Sequence, residues 1–228
     1  MRKQDINGFH VCLIDNKSQF LAELDNIKKI LIAINAEKIV NKDPLISELS
    51  HSHLAYPDGV GISLALRRKG HKTHVYPGVE LWLDLINAYY KKKSFYLIGG
   101  TQKVIDATVA KLKNEFVGIK IVGYKNGYFN CIEEVTDEVF FHKPDIILVA
   151  QGSPLQEKNM EKLFSQHSAL YMGLGGSFDI YTGNKKRAPN IFRKFGFEWL
   201  YRLAKEPIRI KRQLSLMKFG IKLLLNKI

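Results

Sequence analysis

The sequence predicts an α/β protein: a Rossmann-like parallel sheet flanked by helices, with a smaller N-terminal α/β portion and a basic helical C-terminal appendage. Three observations carry this expectation. From Phe95 onward, short apolar runs (Phe95–Ile98, Ile119–Val122, Asp145–Ala150, Ala169–Met172) alternate with helical patterns, and each run closes on glycine: Gly99-Gly100, Gly123, Gly152 and Gly173-Leu174-Gly175-Gly176. Strand, glycine and helix in repetition mark a parallel sheet with right-handed crossovers, with the glycines along one edge. Earlier, Lys29–Asn35 is a continuous apolar run, as expected of a strand buried on both faces. The pattern then stops at Lys185, beyond which 13 Lys and Arg stand against only Glu198 and Glu206, or +11 of the chain's net +13. We therefore divide the chain into an α/β domain, 1–184, and a basic appendage, 185–228.

Composition sets the outer limits. A chain of 228 residues that is 46% hydrophobic can bury a full core and is not disordered. Cys12 and Cys131 are far apart and in no zinc-like spacing, which suits a reduced compartment and buried thiols. Met1-Arg-Lys-Gln-Asp5 leads into no apolar signal segment, and no apolar run approaches the roughly 20 residues of a spanning helix. The basic tail attracts polyanions: nucleic acid, anionic lipid or phosphorylated substrates.

Phe9–Ile14 reads as a strand and Ser18–Ile27 as a helix. The buried strand after it ends at Asn35, and a polar side chain there either contacts a ligand, as at strand ends of open α/β sheets, or caps the next helix. Asp43–Leu49 reads as a helix. His51 and His53 lack a third ligand and are structural or surface residues. His74–Tyr76 reads as a strand. Pro77-Gly78 opens a helix to Tyr89 with an apolar stripe of Val79, Leu81, Trp82, Leu85, Ile86 and Tyr89. Thr101 caps a helix to about Phe116, Val135–His142 is helical, and a further helix runs through Phe164.

The stretch Tyr56-Pro57-Asp58-Gly59-Val60-Gly61 is the candidate catalytic loop. Pro57 and Asp58-Gly59 favour a turn, and Gly61 allows a close backbone approach. Asp58 would sit at or just before the N-terminus of a helix over Val60–Leu66, where amide groups and the helix dipole favour the carboxylate. Such an aspartate suits a general base; the plain alternative is turn and cap chemistry.

At the glycine-lined edge, Gly99-Gly100-Thr101 and Gly152-Ser153-Pro154 each put amides at a helix start, as phosphate binding requires. No Gly-Lys-Ser/Thr follows either, and Phe178 stands where a dinucleotide fingerprint needs its third glycine, so a nicotinamide enzyme is disfavoured. Ser153-x-x-Gln156 also forms a capping box with Pro154 at the first helical position, which leaves Gln156 either a cap or a site residue. In the tail, Ile210, Leu214, Met217, Ile221, Leu224 and Ile228 share one helical face flanked by Lys211, Lys218 and Lys222, while Leu216, Phe219 and Leu223 lie opposite. That helix either lies on a membrane surface or packs on the domain.

Asn35-Ala-Glu37, Pro57-Asp58-Gly59-Val60-Gly61, Leu97-Ile-Gly99-Gly100, Gly123 with Asn126-Gly127-Tyr128-Phe129, Gly152-Ser-Pro-Leu-Gln156-Glu157, Gly173-Leu-Gly175-Gly176-Ser-Phe-Asp179 with Thr182-Gly183, and Arg187-Ala-Pro189 with Glu198-Trp-Leu-Tyr-Arg202 occur in one order. In that order they resemble the WecG/TagA/CpsF glycosyltransferase family, from about Lys29 to the end. Ile34–Lys38 and Arg209–Leu214 are most similar to the branch that transfers N-acetylmannosaminuronate in enterobacterial common antigen synthesis. The N-acetylmannosamine transferases of wall teichoic acid synthesis are near relatives and typically carry Thr where Ala33 stands.

The resemblance implies inverting transfer from a UDP-sugar to the 4-hydroxyl of N-acetylglucosamine on undecaprenyl diphosphate. Asp58 would be the base. Asn35, Gly59, Gly99, Gly100, Gly152, Gln156, Glu157, Gly175, Gly176 and Asp179 would bind substrate. Arg202, Arg209 and Arg212 would stand in for a metal at the leaving diphosphate, with no cofactor. It also implies a cytoplasmic protein held on the inner membrane face by the basic helix, with no nucleic-acid partner. The rival from composition alone is a non-enzymatic protein that binds anionic lipid or nucleic acid.

Overall fold

The computed structural model describes residues 1–186, 188–189, 192, 201 and 210–225, with residues 210–214 described by their backbone alone. Eight strands form one mostly parallel sheet: β1 (Lys3–Ile6), β2 (Phe9–Cys12), β3 (Ile30–Ile34), β4 (Leu54–Pro57), β5 (Ser94–Gly99), β6 (Lys120–Lys125), β7 (Ile146–Ala150) and β8 (Leu170–Gly173). Their order is β1-β2-β4-β3-β8-β7-β5-β6, and β1 runs antiparallel to β2. The helices are α1 (Lys17–Glu23), α2 (Ala36–Asn41), α3 (Pro44–Ser52), α4 (Val60–Arg68), α5 (Gly78–Tyr89), α6 (Gln102–Glu115), α7 (Ile132–His142), α8 (Leu155–Gln166), α9 (Ser177–Tyr181) and α10 (Ile210–Leu224).

The chain forms two compact units. One comprises Met1–Asp15, Ala33–Pro77 and Lys186–Ile228; the other comprises Asn16–Ile32 and Gly78–Lys185. The second unit carries the regular part of the sheet. Parallel registers Phe95↔Ile146 and Ile146↔Leu170 align β5, β7 and β8, whose side chains are all buried, which is why they read as unbroken apolar runs. Asp145 ties the strand starts: its carboxylate accepts from the Ser94 amide at 2.8 Å and the Ser94 hydroxyl at 2.7 Å.

The first unit holds two strands that the sequence pattern hides. β1 is mostly polar (Lys-Gln-Asp-Ile) and joins β2 through Asn7-Gly8, both at positive φ (56° and 89°), the backbone of a tight hairpin turn. β4, Leu-Ala-Tyr-Pro, is wholly buried, and Pro57 is its last residue rather than the first of a turn. The strand expected at His74–Tyr76 is instead an extended strap. His74 N–H donates to the Ile14 carbonyl at 2.7 Å and Tyr76 N–H to the Pro57 carbonyl at 3.0 Å, with no ladder between them. The expected helix over Ser18–Ile27 ends at Glu23. Of the cysteines, Cys12 is buried as expected but Cys131 is exposed. His51 is structural: its ring stacks on His10 at 3.9 Å and its Nε2 lies 3.0 Å from the Gly8 carbonyl.

The C-terminal helix packs on the first unit through one of its two apolar strips. Phe219 is buried against α2 and α4, while Met217, Ile221 and Leu224 on the other side are 65%, 56% and 74% exposed. Ser215 donates to Asn41 at 3.2 Å, and Arg68 donates to the Leu224 carbonyl at 3.3 Å. Among the described residues no helix is long and apolar enough to cross a membrane.

Candidate active site

The predicted residues fall into two groups, one in each unit. In the first, Asp58 directly follows β4, and its N–H donates to the Ile34 carbonyl at 2.9 Å. That bond seats Asp58 beside the end of β3, next to Asn35. Asp58 is half-buried and precedes the cap: Gly59, at φ 89°, is the N-cap of α4 and makes no side-chain cap bond. Asn35 is the N-cap of α2, its Oδ1 accepting from the Lys38 amide at 3.0 Å. Of the two alternatives for Asn35, the cap is thus realised.

Gly61 explains how the helices behind this loop meet. A Cβ there would lie 2.9 Å from the Ala36 Cβ and 3.4 Å from Phe219 Cε1. Without it, the first turns of α2 and α4 and the flank of α10 converge directly behind Asp58 and Asn35. The appendage helix therefore supports the candidate base.

The second group lines the C-terminal ends of β5, β7 and β8, one edge because these strands are parallel. Gly99 and Gly100 serve close packing there. At φ 139°, a Cβ on Gly99 would meet the Ala150 carbonyl oxygen at 2.3 Å, and one on Gly100 would meet Val104 Cγ1 at 2.7 Å. The Gly100 amide donates to the Ala150 carbonyl at 3.3 Å rather than into the edge. Thr101 caps α6 as expected, accepting from the Val104 amide at 3.3 Å.

Gln156 does not form the expected capping box. Pro154 is the N-cap of α8, not its first helical residue, and makes no side-chain cap bond. Gln156 is 4% exposed; its Oε1 accepts from the Gly175 amide at 2.8 Å, and its Nε2 donates to Glu157 Oε1 at 3.1 Å. Gly173 leaves room for it, since a Cβ there would lie 2.5 Å from Gln156 Nε2. Gln156 and the buried Glu157 therefore hold the loop after β8 to the start of α8, and the Gly175 amide is engaged within the protein. Gly152 and Gly176 face open space on the side a Cβ would occupy. Asp179, in the first turn of α9, accepts from Asn184 Nδ2 at 2.7 Å.

Sequence reasoning missed a second tie across this edge. The Gly127 amide donates to the Gly100 carbonyl at 2.8 Å, and the Gly127 carbonyl accepts from Gln151 Nε2 at 3.0 Å. Gln151 Oε1 in turn accepts from Asn159 Nδ2 at 2.8 Å. The one available signal was Gln151 itself, a polar residue directly after an apolar strand. Beneath this loop, burial and then the hydrogen bond to Glu138 push the Tyr96 phenol well up, so it remains a donor. Lys125 joins the same Glu138 at 3.0 Å, and Gly123 makes the room, since a Cβ there would meet the Tyr96 ring at 2.4 Å.

Arg187, Arg202 and Arg209 lie outside the described residues, and Arg212 is described by its backbone alone. Among the described residues no three His, Cys, Asp or Glu cluster as a metal site. What the described parts offer is a carboxylate at a strand end in one unit and, in the other, a glycine-rich strand edge with the long helices α6 and α8 opening onto it. Residues 9–228 match the glycosyl transferase WecG/TagA/CpsF family, nearly the whole chain, and the protein belongs to that family: it is a glycosyltransferase of cell-surface polysaccharide synthesis that takes a sugar donor and an acceptor.

Proposed function

We propose that the protein transfers N-acetylmannosaminuronate, or N-acetylmannosamine, from its UDP-sugar to the 4-hydroxyl of N-acetylglucosamine on undecaprenyl diphosphate, with inversion at the anomeric carbon. The observation that carries the chemistry is the seating of Asp58 by its backbone bond to Ile34. It seats the Asp58 backbone at a strand end, next to Asn35. In the reaction Asp58 takes the acceptor's hydroxyl proton as that oxygen bonds the anomeric carbon and the carbon–oxygen bond to UDP breaks. The Asn35 side-chain amide orients the acceptor sugar.

UDP lies along the edge bounded by Gly99-Gly100, Gly152 and Gly175-Gly176, where the amides opening α6 and α8 favour negative charge. Glu157 and Gln156 hold that edge in shape, and Asp179 contacts the ribose or base. Arg202, Arg209 and Arg212 neutralise the departing diphosphate in place of a metal ion, a role suited to the bidentate guanidinium fork. The outward strip of α10, with Met217, Ile221 and Leu224 exposed beside Lys218 and Lys222, supports docking on the anionic inner face of the cytoplasmic membrane. By its resemblance the pathway is enterobacterial common antigen synthesis.

A panel of UDP-sugars incubated with lipid-linked N-acetylglucosamine tests the reading. Transfer from UDP-N-acetylmannosaminuronate or UDP-N-acetylmannosamine, giving the inverted linkage, is expected. Transfer of another sugar, or to another acceptor, would displace it.

A further inference from the structure

A cavity of about 760 Å³ opens in the first unit, lined by Ile14, Asp15, Arg67, Gly70 and the strap residues His71 to His74. Its walls are cationic. Residues 67–74 contain Arg67, Arg68, Lys69, His71, Lys72 and His74 and no acid. The one lining carboxylate, Asp15, is paired with Arg2 at 2.7 Å.

The strap is held rather than loose. Thr73 Oγ1 accepts from the Ile14 amide at 2.8 Å, the His74 amide donates to the Ile14 carbonyl at 2.7 Å, and the His71 amide donates to the Leu66 carbonyl at 3.0 Å. Two residues past His74, the Tyr76 amide bonds Pro57, the residue before Asp58. A chain advances at most about 3.3–3.6 Å per residue, so the cationic wall begins within about 7 Å of the backbone beside Asp58. That is about the span of one sugar ring. At its other end the wall joins the membrane-facing helix, because Arg68, next to Arg67, donates to the Leu224 carbonyl of α10.

We propose that this cavity binds the diphosphate of the lipid-linked acceptor, a site separate from the arginines assigned to the departing UDP. Arg67 and Lys72 supply the charge, and His71, His74 and Thr73 supply polar contacts. The acceptor's sugar then extends along the strap towards Asp58 and its lipid towards the outward strip of α10. The assignment rests on the transferase reading above, but it can fail separately.

The test uses the full chain and an Arg67→Gln/Lys72→Gln double variant. Both side chains are exposed, so the variant should melt as the wild type does. Affinities are measured for geranyl diphosphate, inorganic pyrophosphate, UDP and vesicles containing anionic lipid. The expected result is about a tenfold rise in Kd for the first two, the order of one strong charge-assisted contact, with UDP affinity and vesicle partitioning unchanged. Arg67→Lys/Lys72→Arg should restore it. Unchanged geranyl diphosphate affinity in the double variant would overturn the proposal. So would a parallel loss of UDP affinity, which would assign the cavity to the donor, or a loss of vesicle binding alone, which would assign it to headgroups. If the diphosphate is lost from the variant as expected but the wild type glycosylates no lipid-linked acceptor, the cavity stands and the transferase reading falls.

Discussion

Gln156→Leu tests whether the donor edge is held as described. The substitution roughly keeps volume at a 4% exposed position and removes two hydrogen bonds: 2.8 Å from the Gly175 amide and 3.1 Å to Glu157. Each buried group stripped of its partner costs about 1–3 kcal/mol, and the added apolar contact returns part of this, for a net loss of about 2–4 kcal/mol. At about 2–4 °C per kcal/mol for a chain of this size, Tm should fall by about 4–16 °C. The loop after β8 loses its tie to α8, so UDP affinity measured by calorimetry should fall as well. Were Gln156 only a helix-capping residue, the loss would be about 0.5–1 kcal/mol, confined to stability. A Tm shift of a degree or two with unchanged UDP affinity would refute the reasoning.

Gly61→Ala should destabilise, although alanine is the better helix former by about 1 kcal/mol, because its methyl would lie 2.9 Å from the Ala36 Cβ; Ala36→Gly should relieve the loss, and a raised Tm in Gly61→Ala alone would contradict the packing. Replacing Met217, Ile221 and Leu224 together by Ser should abolish binding to anionic vesicles with little change in melting, whereas Phe219→Ser, on the buried side, should lower Tm; equal melting losses would mean that the outward strip is packed. Transfer activity should survive excess EDTA, and a loss restored by Mg²⁺ or Mn²⁺ would remove the arginines from their assigned role.

The parallel half of the fold was legible because its strands are buried on both faces and glycines punctuate their ends. β5, β7 and β8 appear as apolar runs within a residue or two of their bounds. Asn35 was legible as the polar residue that ends a buried strand, and Asp58 as a turn residue just ahead of α4, which is where the structure places them. β4 escaped notice because it is four residues long and ends in Pro57; a proline is tolerated at a strand end but reads as a turn in isolation. β1 lacks an apolar pattern, and its pairing comes from the Asn7-Gly8 hairpin. The strap at His74–Tyr76 has strand-like composition yet donates single bonds to the Ile14 and Pro57 carbonyls, a difference fixed by tertiary contact alone. Gln156 shows the same limit. Its neighbours Ser153 and Pro154 imitate a local cap, while its actual partner, Gly175, is 19 residues away.

The central claim is that Asp58 is the general base, and Asp58→Asn tests it most directly. Asparagine keeps the shape, the turn preference and the Asp58 backbone bond to Ile34 while removing the proton acceptor. The measurement is kcat for transfer to lipid-linked N-acetylglucosamine, taken alongside Tm and UDP affinity. The account predicts unchanged melting, unchanged UDP affinity and a fall in kcat of about 10²- to 10⁴-fold. A variant that melts and binds UDP normally and keeps more than about a tenth of the wild-type rate would contradict it, because losing a general base costs more than that.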